Sequence, residues 1–401
     1  RAHLVRWADA SRSHHFQRAK ESIRAMLSEV DHDRYWRPQV LLFSADEERR
    51  ERLLHLATWL EGRSGLTQAV TIIEGEGALG RKTREQAEDA LRRQIERLAL
   101  DVHARAVLAP NGLEALSTVA QSFGIGPLEA NTALFGLPDE WPAHESYVEA
   151  LQAVARFRKN VFAVTTDEAR WAALHGVDRR LRRIDVWWND GDSGRLGLLT
   201  AYLFTRTPSW SQATLHLVAP IGADQDRATA TASLAEMCDT YRIPATPVTV
   251  GGPEEMLEHS ATASLVLFPM RIRGGTLTDQ FGRDLGTVID DLPMAAGLVA
   301  GKHLDLAAGP ESGLPGRLAE AERAKIEASE RAVTLQRQLR KLMREIADLR
   351  GVAADTRHRS DRSRLAAAER RAEAIGKRVM SAQARAESAQ EEIDRILGGS
   401  A

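Results

Sequence analysis

From residue 39 to about 308 the chain alternates short apolar runs with longer amphipathic stretches. This rhythm restricts the accessible folds more than any other feature. "QVLLF" (39–43), "AVTII" (69–73), "ARAVLA" (104–109) and "TALFG" (132–136) read as strands, with helices at 46–61, 80–100 and 112–122 between them. After residue 143 the rhythm restarts. A helix at 144–158 leads to "VFAV" (161–164), "IDVWW" (184–188), a helix at 195–206 and "ATLHLVA" (213–219). Next come a helix at 224–240, "TPVTV" (246–250), a short helix at 253–260, "SLVLFP" (264–269) and a helix around 276–289. "GLVAG" and "HLDLA" are expected to close the series as a hairpin. Such alternation is the mark of a doubly wound, mostly parallel α/β sheet. Two stretches of similar length point to an internal duplication, with halves at 36–143 and 144–308.

Helical segments flank this body. Residues 1–35 read as a linker helix, with Phe16, Ala19, Ile23, Met26, Leu27 and Val30 at helical spacing. Trp36-Arg37-Pro38 ends it, because proline disfavours helix in the residue before it. Beyond Gly309-Pro310, residues 314–401 carry two heptad series. Leu335, Leu339, Leu342, Ile346 and Leu349 belong to the first, and Ile375, Val379 and Ile393 to the second. The register is lost near Gly351. Two helices with polar residues between them fit a hairpin or two coiled-coil segments. Pairing between chains, in a homodimer, is the expected arrangement.

Charge separates the same regions. The chain of 401 residues has a formal charge of −2, but residues 314–401 hold 19 Lys/Arg against 14 Asp/Glu. The tail is therefore a distinct basic unit, and the whole is no polyanion binder. The basic cluster "RHRSDRSR" (357–364) lacks aromatics to stack bases, so no nucleic-acid partner is expected. Cys238 is the one cysteine, which rules out an intramolecular disulfide and a thiolate metal cluster and suits a reducing compartment. No run reaches the ~18–20 apolar residues of a membrane span.

The turn after "IDVWW" invites a functional reading. An EF-hand starting at Asp190 needs an acidic or amide residue, Gly and Glu where this sequence has Gly194, Arg195 and Ala201. Asp190 and Asp192 oppose a phosphate at close range. A structural corner remains, with Asp192 or Ser193 capping a helix from about Arg195. "GLVAGK" (297–302) is too short for a phosphate-binding P-loop and lacks its hydroxyl residue. The twelve histidines show no metal-ligand spacing and read as solvated or packed, so no metal is expected. Ser193 sits in no nucleophile elbow and no nucleophile–base pair can be named, which argues against a hydrolase. Gly126 and Gly136, with Gly124 upstream, are similar to the nucleotide-binding glycines of universal stress proteins. The last is followed by Leu137 rather than a hydroxyl residue. An adenine nucleotide held by Gly124, Gly126, Gly136 and Ser44 is the ligand this likeness implies.

The segments taken together are more specific. "WADASRSHHFQRAKESIRAML" leading into "WRPQVLLF", "SFGIGPLEANTALFGLPDEW", "IDVWWNDGDSGRLGLLTAYLF", "SLVLFPM" and "GLVAG" resemble, in order, the cytoplasmic C-terminal domain of cation–chloride cotransporters. The resemblance spans roughly residues 1–308 and rests most on Trp187-Trp188. Ala130 stands where the family has proline, and the tail is not a family feature. The resemblance implies two universal-stress-protein-like halves on one mixed, mostly parallel sheet, followed here by the helical tail. Trp36, Arg37, Pro38, Asn131, Thr132, Asp185, Trp187, Trp188 and Gly194 become structural residues of that fold. Ile184, Val186 and Trp188 should face one helical layer, and Asp185 and Trp187 the other. It also implies a regulatory, dimerising and non-catalytic role on the cytoplasmic side of a membrane, with a transmembrane part as partner. A free-standing nucleotide-binding stress protein with a coiled-coil tail is the alternative.

Overall fold

The apolar runs form strands buried on both faces, as a sheet covered by helices on either side requires. The computed structural model of the chain describes residues 7–28, 36–44, 46–141, 143–222, 225–307, 314–355 and 359–398. Residues 1–308 and 309–401 form two units.

The first unit begins with α1 (Trp7–Ser28). Five parallel strands follow: β1 (Gln39–Phe43), β2 (Leu66–Glu74), β3 (His103–Ala109), β6 (Thr132–Gly136) and β7 (Asn160–Val164). They are linked by α2 (Glu47–Glu61), α3 (Gly77–Leu98), α4 (Gly112–Ser122) and α5 (Glu145–Arg156). A small hairpin, β4 (Gly124–Ile125) and β5 (Leu128–Glu129), precedes β6. After α6 (Glu168–Gly176) the series repeats as β8 (Arg183–Trp187), β9 (Thr214–Pro220), β10 (Ala245–Val250), β11 (Leu265–Arg273) and β13 (Ala295–Val299). The linking helices are α7 (Asp192–Thr205), α8 (Arg227–Tyr241), α9 (Pro253–Ser260) and α10 (Leu285–Asp290).

The two series share one topology. Strands run β3-β2-β1-β6-β7 in the first and β10-β9-β8-β11-β13 in the second. Each starts at a central strand, steps twice outward, then returns to the other side. Within each half every one of these neighbours is parallel. Where the halves meet, β7 and β13 pair antiparallel, with Val164 beside Ala296 and Val161 beside Val299. One mixed, mostly parallel sheet of 11 strands results.

Several details depart from the sequence reading. The topological repeat turns over after β7, not at 143, because α5 is the crossover from β6 to its parallel neighbour β7 within the first series. The stretch read as a helix at 276–289 divides into β12 (Thr276–Asp279), antiparallel to the end of β11, and the six-residue α10. "GLVAG" does not form a hairpin with "HLDLA". Its strand, β13, is inserted between β11 and β7, and residues 303–307 carry no strand.

Two apolar layers cover the sheet. On one face Ile184, Val186 and Trp188 pack with α2, α7 and Trp210. On the other, Trp187 packs with Phe268, α5 and α10. The expected alternation along "IDVWW" is therefore observed. Helix ends follow ordinary capping: Asp46 accepts from the amides of Glu48 and Arg49 at the start of α2, and Gly62 ends it at φ 60°.

The second unit is a pair of long helices, α11 (Leu314–Asp355) and α12 (Arg359–Gly398). Ala332 and Leu335 pack against Val379 and Ala382, flanked by Leu339 and Ile375. Ile346 meets Ala368 and Ala372, flanked by Leu342 and Leu349. Ile393 is buried near the far end. These seam residues thus pair within one chain. Arg357 and His358 of the basic cluster lie outside the described residues, as do Gly309, Pro310 and Val30.

Candidate functional site

The segment around β8 supplies the most distinctive side chains, and each has a structural partner. Asp185 is fully buried. Arg183 closes on its two oxygens through Nε at 2.8 Å and Nη2 at 3.1 Å. Ser260, at the end of α9, donates its hydroxyl to Asp185 Oδ2 at 3.0 Å and accepts from Trp187 Nε1 at 3.0 Å. The Trp187 ring lies against Phe268, with the Arg283 guanidinium over it. This relay fixes α9 to β8 and leaves no reactive atom of Trp187 exposed.

The exit turn is also structural, though by other groups than expected. Helix α7 begins at Asp192, and its N-cap, Gly191, offers no side chain. Ser193 accepts from the amide of Ala300 at 3.0 Å, while Asp192 holds Arg195 and His303 at 3.2 and 2.8 Å. Gly194 lies so near Asn189 that a Cβ would sit 2.2 Å from its carbonyl oxygen. Any side chain there would force the turn open.

Asn131 joins the start of β1 to the start of β6. Its amide donates to the carbonyl of Arg37 at 2.7 Å, and its oxygen accepts from Gln39 N and the Thr132 hydroxyl. Trp36 packs on the core, and the Pro38 carbonyl accepts from Leu66 N at the head of β2. Asn160 extends the network, donating to Thr132 and accepting from Gly301 N across the seam. Nothing in the sequence reading singled out Asn160; its place at a strand start, opposite Asn131-Thr132, was its one signal.

The glycines read as a nucleotide site do not share a cradle. Gly124 and Gly126 lie on the hairpin before β6, with Gly126 against Ile23 of α1, and Gly136 ends β6. The five-residue strand separates them by about 16 Å. Ser44 lies at the Gly136 end but donates to Asp46 O. Around that end Arg49 pairs with Asp139, and Arg52 with Glu168 and the Thr166 carbonyl. These ion pairs lie at the crevice of the first half.

The corresponding crevice of the second half is open. Beyond the carboxyl ends of β8, β9 and β11 lies a cleft of about 680 Å³, walled by Trp188, Asp190, Asp226, Arg271, Gln280 and Phe281. Ligands of doubly wound sheets bind beyond strand ends where the strand order reverses, as it does between β8 and β11. Gln280 is 7% exposed, and its Oε1 has no hydrogen-bond partner. No sequence motif marks this cleft; the strand order is what locates it.

This geometry defines a duplicated, doubly wound α/β body. No protein-family model matches the chain. A crystal structure of the cytoplasmic domain of a prokaryotic cation chloride cotransporter is similar to it. That likeness covers 68% of this chain and 99% of that one, at 16% identity and a TM-score of 0.47. No described helix is long and apolar enough to cross a membrane.

Proposed function

We propose that this chain is a non-catalytic regulatory and dimerisation domain on the cytoplasmic side of a cation–chloride-cotransporter-like membrane transporter. One observation carries the reading. The segments that resemble that family fall in order on β1, β6, β8, β11 and β13 and their adjoining turns. Their conspicuous side chains, Asn131, Asp185 and Trp187, are all engaged in holding the sheet together. The partners are the transporter's own membrane part and a second copy of the chain. Such a domain biases transport only through contacts that differ between transporter states.

Fractionation and flux assays on the full gene product test this. The expected result is a membrane-bound product whose chloride-dependent cation flux changes when residues 1–308 are deleted. A product with no membrane helices, found wholly in the soluble fraction, overturns it. Light scattering tests dimerisation: a dimer that survives removal of residues 314–401 places the interface on the α/β body, and a monomer at all concentrations refutes it.

The open cleft favours a second reading, an adenine-nucleotide-binding protein related to universal stress proteins. Calorimetry with ATP at millimolar concentration decides it. Binding that is lost in Arg271→Ala supports it, and absence of heat removes it.

A further inference from the structure

Two histidines that no motif connects meet on the sheet face beneath α9. His216 of β9 is the direct register neighbour of Asp185 on β8. His259 precedes Ser260 on the last turn of α9. Their facing nitrogens, His216 Nδ1 and His259 Nε2, are 3.3 Å apart. His216 Nδ1 lies 3.9 Å from Asp185 Oδ1, and His259 Nε2 lies 3.7 Å from Asp185 Oδ2. Three donor groups from three elements thus converge on one point.

We propose that Asp185, His216 and His259 form a binding site for a divalent transition-metal ion of the zinc class, with a fourth position open to solvent.

The spacing supports this. Tetrahedral bonds of about 2.0–2.1 Å place donors about 3.3–3.4 Å apart, the separation the histidine pair already has. The carboxylate edges, 3.9 and 3.7 Å, run to different oxygens of Asp185, so ligation through one oxygen requires the imidazoles to close on it by about half an ångström or more. Donor chemistry narrows the ion: imidazole suits zinc, nickel and copper, whereas magnesium and calcium require oxygen ligands.

The surroundings resemble the outer sphere of a metal centre. Arg183 and Ser260 hold the Asp185 carboxylate, and Trp187 holds Ser260, so the oxygens are aimed before any ion arrives. The histidine side chains are 22% and 25% exposed, which provides an entry path. Arg183 opposes the ion, since its guanidinium already engages both carboxylate oxygens. The site is therefore weaker than a closed structural zinc site. A bound ion would clamp α9 to β8 and β9, which are otherwise tied through Ser260 and Arg183.

Equilibrium dialysis of the chelator-treated full chain against Zn²⁺ tests the proposal. The adjacent, exposed His14 and His15 are replaced by alanine to remove incidental binding. The expected result is one zinc per chain, a rise in melting temperature on loading, and no competition from excess Mg²⁺. His216→Ala and His259→Ala should each weaken binding by more than the roughly 10–100-fold typical of outer-sphere changes, with unchanged far-UV circular dichroism. Because Asp185→Asn removes the charge partner of Arg183 and risks misfolding, the two histidine variants decide. Absence of binding overturns the site, as does stoichiometric binding that survives both substitutions.

Discussion

The two halves of the body share a strand order and differ in what fills the equivalent places. In the first half the end of the central crevice carries the ion pairs Arg49–Asp139 and Arg52–Glu168. In the second the same place is a cleft with a buried, unpartnered amide oxygen. The helix after the first central strand is capped by Asp46, and its counterpart α7 starts at a bare glycine. The second half also carries β12, which the first lacks. The halves therefore share a strand order, while the Asp185 relay and the open cleft belong to the second alone.

The sharpest way to break the comparison is at the place where the halves share a core. Trp59 of α2 stacks on Trp171 at 5.7 Å and meets Trp210 edge-on at 5.4 Å, so the first half's helix packs on the second half's aromatics. Trp59→Ala should cost about 3–5 kcal/mol in urea unfolding. Both halves should lose structure in one transition; two separate transitions would show that the copies are independent.

A second test is confined to the later copy. Asp279, fully buried, accepts from the amides of Phe281 and Arg283 and from Arg283 Nε. Asp279→Ala leaves that guanidinium without its carboxylate and should cost about 3 kcal/mol. Amide exchange should accelerate around β11 and β12 and remain unchanged around β1 and β2.

Capping offers a paired, smaller test. Asp46→Ala should destabilise by about 1 kcal/mol, whereas Gly191→Ser should stabilise by only a few tenths of a kcal/mol. Equal and opposite effects would contradict the asymmetry.

The smallest expected effect is on pH dependence. Burial lowers the pKa of His55 from its ordinary value of 6.5, with Glu51 partly offsetting this. The folded state therefore resists protonation. Stability is full above pH 6.5 and declines as the pH falls below it. Melting temperatures measured between pH 7.5 and 5 should fall less steeply in His55→Gln, and an unchanged slope would rule out this contribution.

Strands buried on both faces were legible because their apolar runs end at turn residues, as "QVLLF" and "TALFG" do. The stretch 276–289 misled because Leu277, Phe281, Leu285 and Val288 repeat at helical spacing, while Asp279 and Gly282 bend the chain between them. Helix α6 was missed because its one fully buried residue is Leu174, too little to set a period. The partner of "GLVAG" was illegible for a different reason: an apolar strand specifies burial and not which neighbour it chooses. The same limit hid His216 and His259. They become neighbours only once β9 lies beside β8 and α9 crosses them.

The antiparallel join of β7 and β13 also sets an order of events during synthesis. Strands β1 to β7 lie within residues 39–164 and can pair as soon as they emerge, since domains fold from the N-terminal side. The strand that covers β7 is the last of the body to be made. Until residue 299 emerges, "NVFAV", buried throughout in the finished fold, is an uncovered apolar edge. Such an edge is a template for pairing with another nascent chain. Late closure of the body is therefore expected to leave slowly made or truncated chains open to pairing with one another through this edge.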